Sequence, residues 1–224
     1  MRIGNLYILN HQISDLNGDQ ILKNISLQKL KKEIDILIID DDEFPLMEDL
    51  RKHEFNIKHR KDINSLKDVE PYSIILCDIH GIGKFLGSQN EGAYLAHQIK
   101  EEYPSKFVIS YTADTTSPSS QKYLNSSDNI ISKGTSIEDW ASLLSDAIKE
   151  IANPVKIWKK IELRMLEEEI PTKEIANLED KYVKAMKTGQ YTSLEKLVKK
   201  NNTGVSEQLL IDTFSLLINI FTKK

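Results

Sequence analysis

Four short polar motifs each stand at or just beyond the end of an apolar run. Asp40-Asp41-Asp42 follows the run 36–39, Asp78 follows 74–77, Thr112 follows 107–111, and Lys133 stands just beyond Ile130-Ile131. Carboxylates, a hydroxyl and an ammonium gathered at one place suit a divalent cation and a phosphoryl group. A carboxylate can attack phosphorus and form an acyl phosphate. It then needs a metal to shield charge, a cation on the transferring oxygens and a hydroxyl to hydrogen-bond one of them. Asp78 is the candidate nucleophile, and Lys133 and Thr112 the candidates for the last two roles. Taken singly, each motif has a plain reading: an acidic turn ahead of a helix, where negative charge is favoured, a turn threonine and a surface lysine. Their joint order carries the chemical reading.

The order acquires meaning from the elements around it. Residues 34–151 alternate between strand-like runs (34–39, 55–60, 73–78, 106–111 and 129–132) and helical patterns (45–53, 65–69, 91–103, 117–125 and 136–151). Two of the runs, Ile-Leu-Ile-Ile and Ile-Ile-Leu-Cys, are unbroken, as expected for strands covered on both faces. Ala93, Leu95, Ala96, Ile99 and Tyr103 recur at helical spacing until Pro104 stops them. Five such units predict an α/β fold with a doubly wound parallel sheet. In that fold the carboxyl ends of the strands converge on one edge, where ligands bind. Motifs far apart in sequence would meet there.

Asn153-Pro154 marks a boundary, because proline disfavours helix in the residue before it. Beyond it the chain reads as helices, with an apolar stripe at Leu210, Phe214, Leu217 and Phe221, and a small all-helical domain is expected. The expected divisions are an N-terminal extension over 1–33, the α/β domain over 34–152 and the helical domain over 153–224. In the extension, 3–9 fits a strand and 21–30 a helix or a strand. Asp15 to Asp19 resembles the start of a calcium loop. Gln20 stands at its sixth position and Ser26 at its twelfth, so an Asn-Gly turn is the reading.

Composition excludes several classes. The net charge is −4, and the 17 basic and 24 acidic side chains of 1–153 leave only +3 for the rest. That is thin for phosphate contacts, so DNA is not an expected partner despite a faint helix-turn-helix pattern at 171–176. Cys77 is the only cysteine and sits in a buried-looking run, which excludes an intrachain disulfide. The most apolar segment, about 13 residues over 209–221, is shorter than the roughly 20 a bilayer span needs. A cytoplasmic protein without a membrane partner is expected. The five histidines show no paired metal spacing, and only His80 stands near the chemistry.

Residues 34–151 resemble the receiver domain of bacterial two-component response regulators. The resemblance is carried by Asp40-Asp41, Asp78, Thr112 in Ser-Tyr-Thr-Ala, Lys133, and Glu91-Gly92 where the family has Asp-Gly. It implies a flavodoxin-like receiver fold with Mg²⁺ as cofactor, ligated directly by Asp41 and Asp78, through water by Asp40, and by the backbone carbonyl of His80. It also implies that Asp78 takes a phosphoryl group from a histidine kinase or a phosphotransfer protein, catalysing its own phosphorylation rather than turning over a substrate. Output would pass through the C-terminal helices, to a homodimer or an effector protein. Three positions depart from the family: a longer glycine-bearing loop follows Asp78, Gly134 replaces a proline, and Ile130 replaces an aromatic residue. These departures keep a second reading open, a receiver-shaped binding module that phosphorylation does not control. A haloacid-dehalogenase-type phosphatase would use Asp40-x-Asp42. It also requires an acidic pair on a further strand, where 134–151 offers one helix.

Overall fold

The computed structural model describes residues 10–113, 118–199 and 207–222; the expected strand over 3–9 lies outside them. Contact density divides the chain into two compact units, Ile25–Ala152 on one side and Met1–Asn24 with Asn153–Lys224 on the other. Residues 1–33 are therefore shared between the two.

In the first unit, five strands form one parallel sheet: β1 (Asp35–Ile39), β2 (Asn56–Arg60), β3 (Ile74–Asp78), β4 (Phe107–Thr112) and β5 (Asn129–Ser132). Their order is β2-β1-β3-β4-β5, the doubly wound, flavodoxin-like order expected from the sequence. The unbroken apolar runs lie in the middle: every residue of β3 and β4 is buried, and so are Ile36 to Ile39. The edge strands β2 and β5 alternate between covered and open positions, as half-covered strands do. The wrapping helices are α2 (Leu27–Glu33), α3 (Met47–Lys52), α4 (Glu91–Glu102), α5 (Pro118–Leu124) and α6 (Ile137–Ala152), with a 3-10 turn at Leu66–Val69 where a helix was expected. The segment 21–30 contains neither one helix nor a strand: a break after Leu22 is closed by Ser26, whose hydroxyl caps α2 through the Lys29 amide.

The register aligns the strand ends. Ile39 pairs with Cys77, Asp78 with Tyr111, and Thr112 with Ser132. The ladder continues one step past each strand, since the Asp40 amide donates to Arg60, the Ile79 amide to Tyr111 and the Lys133 amide to Thr112. The four motifs therefore emerge in one row.

The second unit contains α1 (Gly18–Leu22), α7 (Pro154–Glu167), α8 (Thr172–Thr188), α9 (Thr192–Lys199) and α10 (Glu207–Thr222). Asn153 caps α7 by accepting the amides of Val155 and Lys156, with Pro154 in the first turn. Asn17, expected in a turn, instead caps α1 through the Gln20 amide. Trp158, Tyr182 and Phe214 stack in series in the core, at 5.1 and 5.7 Å between centroids. Leu210, Phe214 and Leu217 face this same core. The stripe on α10 thus closes its own bundle. Among the described residues no helix is long and apolar enough to cross a membrane.

Two glycines test how tightly the α/β unit is built. A Cβ on Gly92 would lie 1.9 Å from the backbone oxygen of Asp78, which the sheet holds fixed. Gly87 adopts φ +64° but faces open space. Urea unfolding should show Gly92→Ala losing roughly 3 kcal/mol and Gly87→Ala about 1 kcal/mol. Equal losses would contradict the close approach.

Candidate functional site

Asp40 and Asp78 are charged side chains at the ends of two adjacent central strands, only 2% and 4% exposed. Burying ionised carboxylates is costly unless they are paired and hydrogen-bonded. Lys133 supplies the pairing for both. Its ammonium lies 2.5 Å from Asp78 Oδ2 and 3.2 Å from Asp40 Oδ2. The His80 amide approaches the other Asp78 oxygen at 3.4 Å.

Asp40 has two further donors. The Tyr111 hydroxyl lies 2.8 Å from Oδ2, and the Asp42 amide 3.0 Å from Oδ1. His59 holds the backbone beneath: its Nε2 sits 2.9 Å from the Asp40 carbonyl, and since a carbonyl only accepts, that nitrogen carries the proton. Asp41 and Asp42 are exposed. Among the described residues, the carboxylates of Asp40, Asp41 and Asp42 form a cluster whose ligand atoms lie within 4.8 Å of one another. Asp78 joins that cluster through the shared lysine. An all-oxygen set of this kind suits a small, hard dication such as Mg²⁺.

Burial raises the Asp78 carboxyl above its ordinary range. The Lys133 ammonium opposes that rise, and the charge of Asp40 adds to it. Burial alone would lower the Lys133 ammonium, but its bonds and attraction to Asp78 and Asp40 carry it upward. The cation between the two carboxylates therefore stays charged. Tyr111 is pushed up by burial and by the adjacent Asp40, so it stays a phenol.

The loop after Asp78 is fastened by carboxylates that sequence reasoning did not single out for this. Glu91, at the start of α4, accepts the Gly81 amide at 2.6 Å and itself adopts φ +40°. Such a conformation persists in a non-glycine residue only when its surroundings hold it. Asp62 accepts the Gly83 amide at 2.7 Å and the Lys84 amide at 3.4 Å. Gly81 has φ +74°, and a Cβ there would fall 2.2 Å from the Asp41 carboxylate. Glycine is required at that point to let Asp41 lie across the loop.

Of the expected site residues, the structure joins Asp40, Asp78 and Lys133 directly. Asp41 lies in the acidic cluster, and His80 is exposed beside Asp78. Thr112 closes β4 next to Ser132, and its carbonyl accepts the Lys133 amide. Tyr111 was missed. Its one sequence signal is a phenol at the end of a buried run, where a hydroxyl must find a partner.

No family model and no curated protein matches the chain. Solved structures do resemble it. A CheY-like response regulator receiver domain protein of Methanospirillum hungatei JF-1 is 20% identical over 53% of this chain and 95% of that one, with a TM-score of 0.43. A two-component response regulator from Clostridium difficile is 19% identical over 53% and 98%, at 0.42. The activated receiver domain of RstA from Klebsiella pneumoniae is 17% identical over 51% and 97%, at 0.43.

The raised Asp78 carboxyl has a consequence for stability. A carboxyl that binds its proton more tightly when folded contributes stability at low pH, and that contribution is lost as pH rises through the folded value. Asp78→Asn removes the buried charge while leaving Lys133 its bond to Asp40. At pH 7 it should raise Tm by about 2–4 °C, as a gain on the order of 1 kcal/mol does for a chain of this size. The gain should shrink as pH falls through the raised folded value and be gone below the ordinary carboxyl value of 3.8. A Tm lowered at pH 7 would contradict this ordering of burial over pairing.

Proposed function

We propose that this chain is a receiver-type signalling protein whose Asp78 accepts a phosphoryl group from a phosphohistidine on a histidine kinase or a phosphotransfer protein. One Asp78 oxygen attacks the phosphorus, and the bond from phosphorus to the donor imidazole nitrogen breaks. The imidazole leaves with that electron pair and takes up a proton from solvent. The product is an acyl phosphate on Asp78. The observation that carries this reading is the Lys133 ammonium set between Asp78 and Asp40 at the sheet edge. Lys133 stands one hydrogen bond from the nucleophile, placed to follow the charge from the carboxylate onto the new phosphoryl oxygens. Thr112, at the end of the neighbouring strand, would donate its hydroxyl to one of them.

Asp41, Asp78 and the His80 carbonyl would hold Mg²⁺, with Asp40 acting through water. Asp40 already accepts three hydrogen bonds, which leaves a carboxylate about one free acceptor position. When bound, the ion supplies the charge neutralisation that an incoming phosphoryl group needs. Output would run through protein contacts of the helical unit, as a homodimer or with an effector.

A second reading, a binding module indifferent to phosphorylation, draws support from Ile130. This residue replaces the aromatic expected on β5 and is 47% exposed. A small phosphodonor tests the first reading. With Mg²⁺ present, acetyl phosphate or phosphoramidate should label the wild-type chain. Labelling should vanish in Asp78→Ala and on chelation of the metal. It should fall by roughly 10²-fold or more in Lys133→Met, the scale of losing one stabiliser of developing charge. Labelling that persists in Asp78→Ala would reject Asp78 as the acceptor.

A further inference from the structure

Tyr111 is a polar side chain of the site that the proposed chemistry leaves without a role. Its ring is fully buried and fixed on two sides: Phe44 and Trp140 meet it edge-on at 5.6 and 5.8 Å, and also meet each other at 5.6 Å. A ring held this way has little rotational freedom, so its hydroxyl has one direction, toward Asp40 Oδ2. Lys133 reaches the same oxygen from 3.2 Å, a longer contact than its 2.5 Å bond to Asp78.

We infer that Tyr111 is a positioning residue: its hydroxyl holds the Asp40 carboxylate in place for a divalent cation and leaves Lys133 to Asp78. The inference rests on the magnesium-dependent reading above and adds to it the residue that divides the labour between two carboxylates and one lysine. A neutral donor suits the task. Asp40 is buried, and a buried carboxylate calls for hydrogen-bond donors beside its shared ammonium. A second cation would satisfy it but would repel the incoming metal, whereas a phenol supports the carboxylate and adds no charge. Without the hydroxyl, Asp40 Oδ2 would have Lys133 as its only donor among the described residues. The ammonium would then be drawn away from Asp78, and the Asp40 carboxylate would turn with it.

The test is calorimetric Mg²⁺ binding to the full chain at fixed pH, for wild type, Tyr111→Phe, Asp40→Asn and the double variant. Tyr111→Phe keeps the packing on Phe44 and Trp140, and it should weaken Mg²⁺ binding by roughly three- to tenfold, the scale of one hydrogen bond. In the Asp40→Asn background it should change nothing further, because the hydroxyl acts through that carboxylate. A merely structural tyrosine would give the same loss in both backgrounds, and that result would overturn the inference. Unchanged affinity in Tyr111→Phe, or no Mg²⁺ binding by the wild type, would overturn it too. If Tyr111→Phe does not fold, two analogues decide. Tyr111→4-aminophenylalanine keeps a donor and should bind Mg²⁺ as wild type does. Tyr111→4-methylphenylalanine keeps the volume without a donor and should bind it weakly; equal affinities would overturn the inference. Phosphodonor labelling of Asp78 with an additive cycle would defeat this inference alone. A coupled cycle without labelling would defeat the phosphoacceptor reading and leave Tyr111 in its role.

Discussion

The site depends on one cation shared by two buried carboxylates. Asp40 and Asp78 sit on neighbouring central strands, where the register allows no retreat from each other. Lys133 makes that arrangement tolerable by reaching between them from the end of β5. One ammonium for two carboxylates leaves net negative charge at the rim, next to the exposed Asp41 and Asp42. Such a rim suits a dication, and on the proposed reading Asp78 is the nucleophile beside it. On that reading, readiness for phosphoryl chemistry and the cost of burial arise from the same imbalance.

The rest of the α/β unit keeps that imbalance in place. The sheet fixes the row of strand ends. The fastening of the 81–84 loop by Glu91 and Asp62 sets what surrounds Asp78. Gly92 brings α4 against the backbone of Asp78 itself. The Phe44–Tyr111–Trp140 trio packs the ring whose hydroxyl reaches Asp40. Each edge-to-face contact in such a trio contributes about 0.5–1.5 kcal/mol beyond area burial.

The strands and the four motifs were legible in the sequence because both rest on short-range signals. Apolar runs of two to five residues ended in polar groups, and parallel topology then brought the ends together. Strand boundaries came within about one residue, the usual scale of disagreement at element ends. What depended on tertiary approach was not legible. Tyr111 bonds a residue 71 positions away, and within its run it read as one more apolar side chain. Asp62 carries no local signal, because the Gly83 amide it accepts lies 21 positions away. Asn17-Gly18 read as a turn because Asn-Gly so often is one. In the fold Asn17 caps a helix, and Gly18 is small because Asn153 lies where its Cβ would be, 2.0 Å from the Oδ1.

The shared cation can be tested without any phosphodonor, by urea unfolding of Lys133→Met at pH 7 with and without excess MgCl₂. Removing the ammonium shared by two buried carboxylates should cost roughly 3–5 kcal/mol. Added Mg²⁺ should recover part of that loss. A variant as stable as the wild type, and indifferent to the metal, would contradict the account.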